Sequence, residues 1–219
     1  MAVSPTSWLW GRVKDVAVLN AATLAEDTDP DFSFPYVDIS TVDGLGVVAK
    51  PDEVVFANAP SRARRLAKPG DSIVSTVRTY LKAIAYVDEE LAGCVFSTGF
   101  TVLSPKPNIA PRFLYWWLRS SYFIEEIVAR SVGVSYPAVN ASDVSQVAVP
   151  IPPMAEQLRI AEYLDSEVAL LDDLVAQQVA LTGSQVSTAG AGLLGERRQA
   201  LITAAVSGGL KSIRGRSDA

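Results

Sequence analysis

Val149-Pro150-Ile151-Pro152-Pro153-Met154-Ala155-Glu156-Gln157-Leu158-Arg159-Ile160-Ala161-Glu162-Tyr163-Leu164-Asp165 is the stretch around which the chain is organised. Pro150, Pro152 and Pro153 fit neither a helix interior nor a central strand, so they close the domain that precedes them. Pro153 suits a first helical turn, where its missing N–H costs nothing, and Glu156 adds favourable negative charge near that N-terminus. Beyond it the seam positions are Ile160, Leu164, Glu167, Leu171, Leu174, Gln178 and Leu181, five of seven apolar at alternating spacings of four and three. That pattern predicts a coiled-coil helix whose stripe must be buried against another helix.

The composition limits what the rest can be. The 219 residues allow one ordinary domain with an appendage or two small domains, and an apolar fraction of 49% supports a real core. No apolar run approaches the roughly 18 residues of a membrane span. The opening Met1-Ala2-Val3-Ser4-Pro5-Thr6-Ser7 lacks the basic-then-apolar pattern of a signal peptide. Cys94 is the single cysteine, which excludes an internal disulfide and suggests a cytoplasmic protein. Histidine is absent, which removes imidazole acid–base chemistry, His-dependent triads and the common zinc sites.

A net charge of −5 runs against the basic character expected of a nucleic-acid reader. The charge is unevenly spread, however. Arg62, Arg64, Arg65, Lys68, Arg78 and Lys82 fall between Phe56 and Lys82, opposed only by Asp71. Such an excess could supply phosphate contacts, or be a solvated basic loop with no partner.

Upstream of the prolines, strand-like segments alternate with turns. Tyr36–Ser40 and Val54–Phe56 are followed by the basic segment and a Lys68-Pro69-Gly70-Asp71 turn. Ser72–Arg78, Ile84–Val87 and Gly93–Leu103 then complete a cluster of strands. Pro111 opens a helix with Phe113, Leu114, Trp116, Trp117 and Leu118, which restarts after Ser120-Ser121. Trp116 and Trp117 could stack on bases, but apolar residues on so many sides predict burial against a sheet. The fold class expected is α+β: a mixed, mostly antiparallel sheet with packed helices, then a coiled-coil helical region.

Catalytic motifs are missing. A base-flipping methyltransferase needs a polar residue before Pro-Pro and an aromatic after it, whereas Ile151-Pro152-Pro153-Met154 has neither. No Gly-x-Gly follows an apolar strand near the start, and no phosphate-binding Gly-x-x-x-x-Gly-Lys is present. Asp88-Glu89-Glu90 lacks the lysine of a nuclease motif, and Asp27, Asp29 and Asp31 lack the glycine and distal glutamate of a calcium loop. No catalysis, cofactor or metal is expected.

The proline-rich run, together with Glu196-Arg197-Arg198-Gln199-Ala200-Leu201-Ile202, resembles the helical region of specificity subunits of type I restriction-modification systems. Trp8 to Ala17, the Pro69–Leu103 region and the Gly133–Asn140 loop resemble the target-recognition domains of the same family. The resemblance implies sequence-specific recognition of double-stranded DNA, with methyltransferase and restriction (translocase) subunits as partners. It places a recognition domain at residues 1–152 and the helical region at 153–209, with a flexible tail at 210–219. Specificity subunits commonly carry two such units, so this single one implies a half-subunit that pairs as a homodimer.

One departure from the family is the glycine-rich interruption at 183–195, which reads either as a loop or as a weakened helix. The residues expected at DNA are Arg78 and Tyr136 for bases and Arg62, Arg64, Arg65 and Lys82 for the backbone, with Thr79, Ser135 and Asn140 beside them. Those expected at a partner helix are Ile160, Leu164, Leu171, Leu174, Leu181, Leu194 and Leu201. The rival reading is a coiled-coil scaffold that binds protein rather than DNA.

Overall fold

A computed structural model describes residues 8–134, 136–182 and 188–209. The strands are β1 (Leu9–Arg12), β2 (Ala17–Leu19), β3 (Ala22–Thr23), β4 (Ser33–Val37), β5 (Asp52–Val55), β6 (Ala63–Leu66), β7 (Ser72–Ser75), β8 (Ile84–Tyr86), β9 (Val95–Ser97), β10 (Phe100–Pro105) and β11 (Ala148–Ile151). The helices are α1 (Val13–Val16), α2 (Pro111–Leu118), α3 (Ser121–Arg130), α4 (Ala141–Ser145), α5 (Met154–Thr182) and α6 (Thr188–Val206). The fold is α+β, and among the described residues no helix is long and apolar enough to cross a membrane.

The strands form three sheets. One has the order β2-β10-β7-β8, all antiparallel, and another the order β3-β6-β9-β4-β5, antiparallel except for β4 beside β9. The tight β9–β10 turn links these two sheets. A Cβ at Gly99 would lie 2.3 Å from Ile39 Cδ1, so a larger residue there would have to push the Ile39 side chain aside. The third is a ribbon in which β1 pairs β11, Leu9 opposite Ile151 and Gly11 opposite Val149. Both strands of a two-stranded ribbon are edges, which is why Pro150 is tolerated.

Phe113 to Leu118 of α2 are all buried, and Trp116 and Trp117 are core residues as their surroundings predicted. They share one apolar cluster with Val149 of the ribbon, Ile160, Leu164 and Val168 of α5, and Ile202, Ala205 and Val206 of α6. The core therefore continues across the proline junction. The motif at that junction is a set of polar clamps. Trp8 Nε1 donates to Glu156 Oε2 at 3.0 Å. Gln157 is buried, accepts from Ala110 N–H at 2.7 Å, and donates to Pro152 O at 2.8 Å and Asn108 O at 3.2 Å. About two turns further along α5, Asp165 takes the Trp116 indole N–H at 2.8 Å and pairs with Arg112.

α5 and α6 pack antiparallel. Asp172 meets Arg198, while Ile160 and Leu164 meet the far end of α6. Of the glycine-rich interruption, residues 183–187 lie outside the described residues, but Gly190, Gly192 and Gly195 fall within α6. Gly208, at φ +79°, ends that helix, with Gly209 N–H returning to Ala204 O at 2.8 Å. The tail at 210–219 lies outside the described residues.

Candidate nucleic-acid interface

The loop between β7 and β8 has an unusual backbone. Arg78 and Lys82, at φ +51° and +57°, are left-handed without being glycine, and they bracket a single 3-10 turn, Thr79–Leu81. Each such residue costs on the order of 1–3 kcal/mol and persists only where its surroundings over-determine it. Here they do. Thr76 N–H and Oγ1 both donate to Gly99 O, at 2.8 and 2.9 Å. Arg78 N–H donates to Pro137 O at 2.8 Å, and Val139 N–H donates to Thr76 O at 2.9 Å. Thr79 is buried, its Oγ1 2.7 Å from Ser131 Oγ, which itself donates to Ile127 O at 2.8 Å.

The loop that follows α3 lies against this one. Val132 and Ala138 exchange backbone hydrogen bonds of 2.9 and 3.0 Å, and Ala138 also bridges to Val77. Gly133 turns the chain at φ +114°, where a Cβ would press to 3.1 Å on Tyr136 O. Tyr136 is 62% exposed, and the Arg78 guanidinium lies over its ring, 4.5 Å from the centroid.

The expected site residues are thus distributed unevenly. Arg78 and Tyr136 come together, with exposed Lys82 at the other end of the same turn. Asp71, the one acid of the basic segment, forms no ion pair with Arg78. Asp71 is buried, accepts from Lys68 N–H at 3.0 Å, and has its carboxyl pushed above the ordinary range by desolvation. Thr79, expected at the DNA, is instead a buried anchor of the loop. Asn140 is exposed at the N-terminus of α4, where its N–H donates to Asp143 Oδ2 at 3.1 Å, the geometry of a helix cap. Ser135 lies outside the described residues.

The basic strand is tied to the same place, because Thr98 N–H donates to Arg62 O at 2.7 Å beside the Gly99 carbonyl that holds Thr76. Arg62 pairs with Asp38 and donates to Tyr36 Oη at 3.2 Å. These two partners raise its pKa. Arg64 sits at a register shift in β6, its guanidinium 5.0 Å from the Phe56 ring centroid. Arg65 is half-buried, and its Nε finds no acceptor among the described residues.

The helical seam needs a correction. Ile160 and Leu164 are buried in this chain's own core, and Leu171 is buried as well, so these three are not free for a partner. The reason is that α2 and α6 of the same chain supply the cover. Leu174 is exposed, Leu194 and Leu201 are half-buried, and the Leu181 side chain lies outside the described residues. Exposed Leu158, Leu170 and Leu193 were not among the residues expected there.

At the tip of the strained turn Tyr80, which the sequence groups with Arg78 and Thr79 as a possible stacking residue, is 51% exposed, and Leu81, which sequence reasoning missed, is 45% exposed. The signal was present: two large apolar residues between Arg78 and Lys82, where a turn would ordinarily be polar.

Known proteins resemble most of this chain. A family model described as the type I restriction modification DNA specificity domain matches residues 5–180. The specificity subunit of the type I restriction enzyme HindI from Haemophilus influenzae is 31% identical over 117 residues, covering 51% of this chain and 26% of that protein. The crystal structure of the HsdS subunit from Thermoanaerobacter tengcongensis superposes with a TM-score of 0.71 at 33% identity, over 81% of this chain and 46% of that one. A chain from a structural study of type I restriction-modification complex assembly and conformational transition gives a TM-score of 0.74 at 32% identity, over 82% and 46%. The chain therefore spans less than half the length of these relatives.

Proposed function

Given that this chain belongs to the type I restriction modification DNA specificity domain family, we propose that it is a non-catalytic reader of DNA sequence. In this reading it directs type I methyltransferase and restriction subunits in the cytoplasm to their target. The observation that carries it is the stacking of half-buried Arg78 on exposed Tyr136, with exposed Lys82 at the other end of the same turn. Arginine can contact guanine in the major groove, and an exposed aromatic can pack beside it. The division into a recognition domain at 1–152 and a helical region at 153–209 belongs to the same proposal.

A single recognition unit reads one half-site. We further propose a homodimer through the helices, which would set two units a fixed distance apart on a bipartite target.

The test is binding to random duplex DNA across a salt series, by the full chain alone and with a co-purified type I methyltransferase subunit. Affinity should fall steeply with salt. Lys82→Ala should lower the slope of log K against log salt by about one. Arg62→Ala should lower it less, because Asp38 already neutralises that cation. Salt-independent binding, or none at any salt, overturns the reading and leaves the protein-binding scaffold in its place.

A further inference from the structure

We propose that Tyr80 and Leu81 read an A·T base pair by packing on the thymine C5-methyl group in the major groove; this rests on the DNA reading above. Both side chains stand in solvent at the tip of a turn whose backbone is fixed at each end. The tip has further support from the hairpin around Asp43 and Val47. Gly44 is approached so closely by Leu81 O that a Cβ there would lie 3.2 Å away. That hairpin is held in turn by Arg119, which donates to Gly44 O at 2.9 Å and to Ile84 O at 2.8 Å. Exposed Leu45 and Val47 extend the apolar surface, and Asp43 Oδ1 is turned onto its own loop, accepting from Leu45 and Val47 N–H, both at 2.8 Å.

A rigid apolar tip could meet protein or nucleic acid, and the flanking charges decide between them. Arg78 and Lys82 set a cation at each end of the tip. That arrangement suits a groove walled by phosphates and does not suit an apolar protein surface, where both cations would be desolvated. Within the major groove the apolar group offered by a base edge is the thymine methyl. A preorganised leucine and tyrosine can meet it without ordering a flexible loop on binding.

The experiment is selection of bound duplexes from a random pool by the full chain, alone and with a co-purified type I methyltransferase subunit. The wild type is compared with Leu81→Ala and Tyr80→Ser. Both positions are exposed, so melting temperatures should match, and a variant that melts early is replaced by Leu81→Thr or Tyr80→Gln. Both variants should keep the wild-type consensus except at one A·T pair, where the preference disappears. Replacing that thymine by uracil in the wild-type consensus should weaken wild-type binding about three- to fivefold, the worth of one buried methyl group, and leave Leu81→Ala indifferent.

An unchanged consensus with full uracil sensitivity in the variants overturns the proposal, as does wild-type binding that enriches no consensus. Variants that select normal DNA but no longer co-purify with the methyltransferase subunit also overturn it, by showing a protein-docking patch. If the wild type retains no duplex at low salt, the DNA reading itself fails, which is a different result from an unchanged consensus.

Discussion

The guanidinium of Arg78 stacks on the ring of Tyr136, 4.5 Å from its centroid, and the two loops that carry them are stitched by the Arg78 N–H bond to Pro137 O, 2.8 Å. Both backbone and side chains are thus shared between segments far apart in sequence. The stack fixes the direction of an arginine that would otherwise sample many rotamers. Arg78 forms no ion pair with a described residue, so its donors remain available to a ligand.

This relationship makes the two residues one energetic unit. Arg78→Ala should weaken binding to a selected duplex by about 1–3 kcal/mol and relax preference at one position. Tyr136→Ala should act in the same direction, with the double variant losing less than the sum of the two. Arg78→Lys should not restore specificity, since lysine lacks the planar fork. The measurement is a double-mutant cycle of affinities on selected and random duplex. Strict additivity, or an equal loss on both duplexes, would show that Arg78 is a separate phosphate contact.

Asp71 gives a pH-dependent prediction. Desolvation raises its carboxyl above the unfolded value despite the Lys68 N–H bond. Its contribution to stability is therefore fully present below the unfolded pKa and is lost as pH rises through the folded one. Asp71→Asn keeps an acceptor for Lys68 N–H and carries no charge to desolvate. The melting temperature of the variant, taken relative to wild type, should be more favourable at pH 7 than at pH 3.5. A difference that is flat with pH, or of the opposite sign, would refute the assignment.

Gln157 should be costly to change. Its amide accepts one backbone N–H and donates to two carbonyls while fully enclosed. Gln157→Ala leaves those groups unpaired, at about 1–3 kcal/mol for each buried group stranded. Gln157→Glu keeps the shape but replaces the donating amide with a carboxylate facing two carbonyl oxygens, so it should rescue little. Chemical denaturation of the full chain checks this, and a loss below about 0.5 kcal/mol for Gln157→Ala would contradict the clamp.

What the sequence shows and hides follows from range. The strand character of Ser72–Ser75 and Phe100–Pro105 and the helix opened by Pro111 are written in local pattern. The burial of Thr79 is not, because its anchor, Ser131, comes from a distant loop. The pairing of β1 with β11 is equally non-local. Glycines 190, 192 and 195 lower helix propensity by about 1 kcal/mol each. α6 nevertheless runs through them, and its last turns pack Ile202, Ala205 and Val206 into the core. Periodicity located the apolar stripe of α5 but carries no information on which chain supplies its cover.

That last point reshapes the expectation for assembly. Leu171 is buried within the chain, so Leu171→Asp would put an unpaired charge into the chain's own core and destabilise the fold itself. Leu170 and Leu174, one turn apart and both exposed, lie on the outer side of α5. If the helices form the proposed homodimer through this side, Leu170→Asp with Leu174→Asp should weaken self-association at least tenfold while the melting temperature of the dissociated chain stays within a few degrees of wild type. Leu171→Asp should do the reverse, lowering the melting temperature first. Sedimentation equilibrium over a concentration series, with thermal denaturation at the lowest concentration, separates the two effects. Wild-type protein that stays monomeric at every concentration, or a double variant that associates as tightly as wild type, would place any partner surface elsewhere than this face of α5.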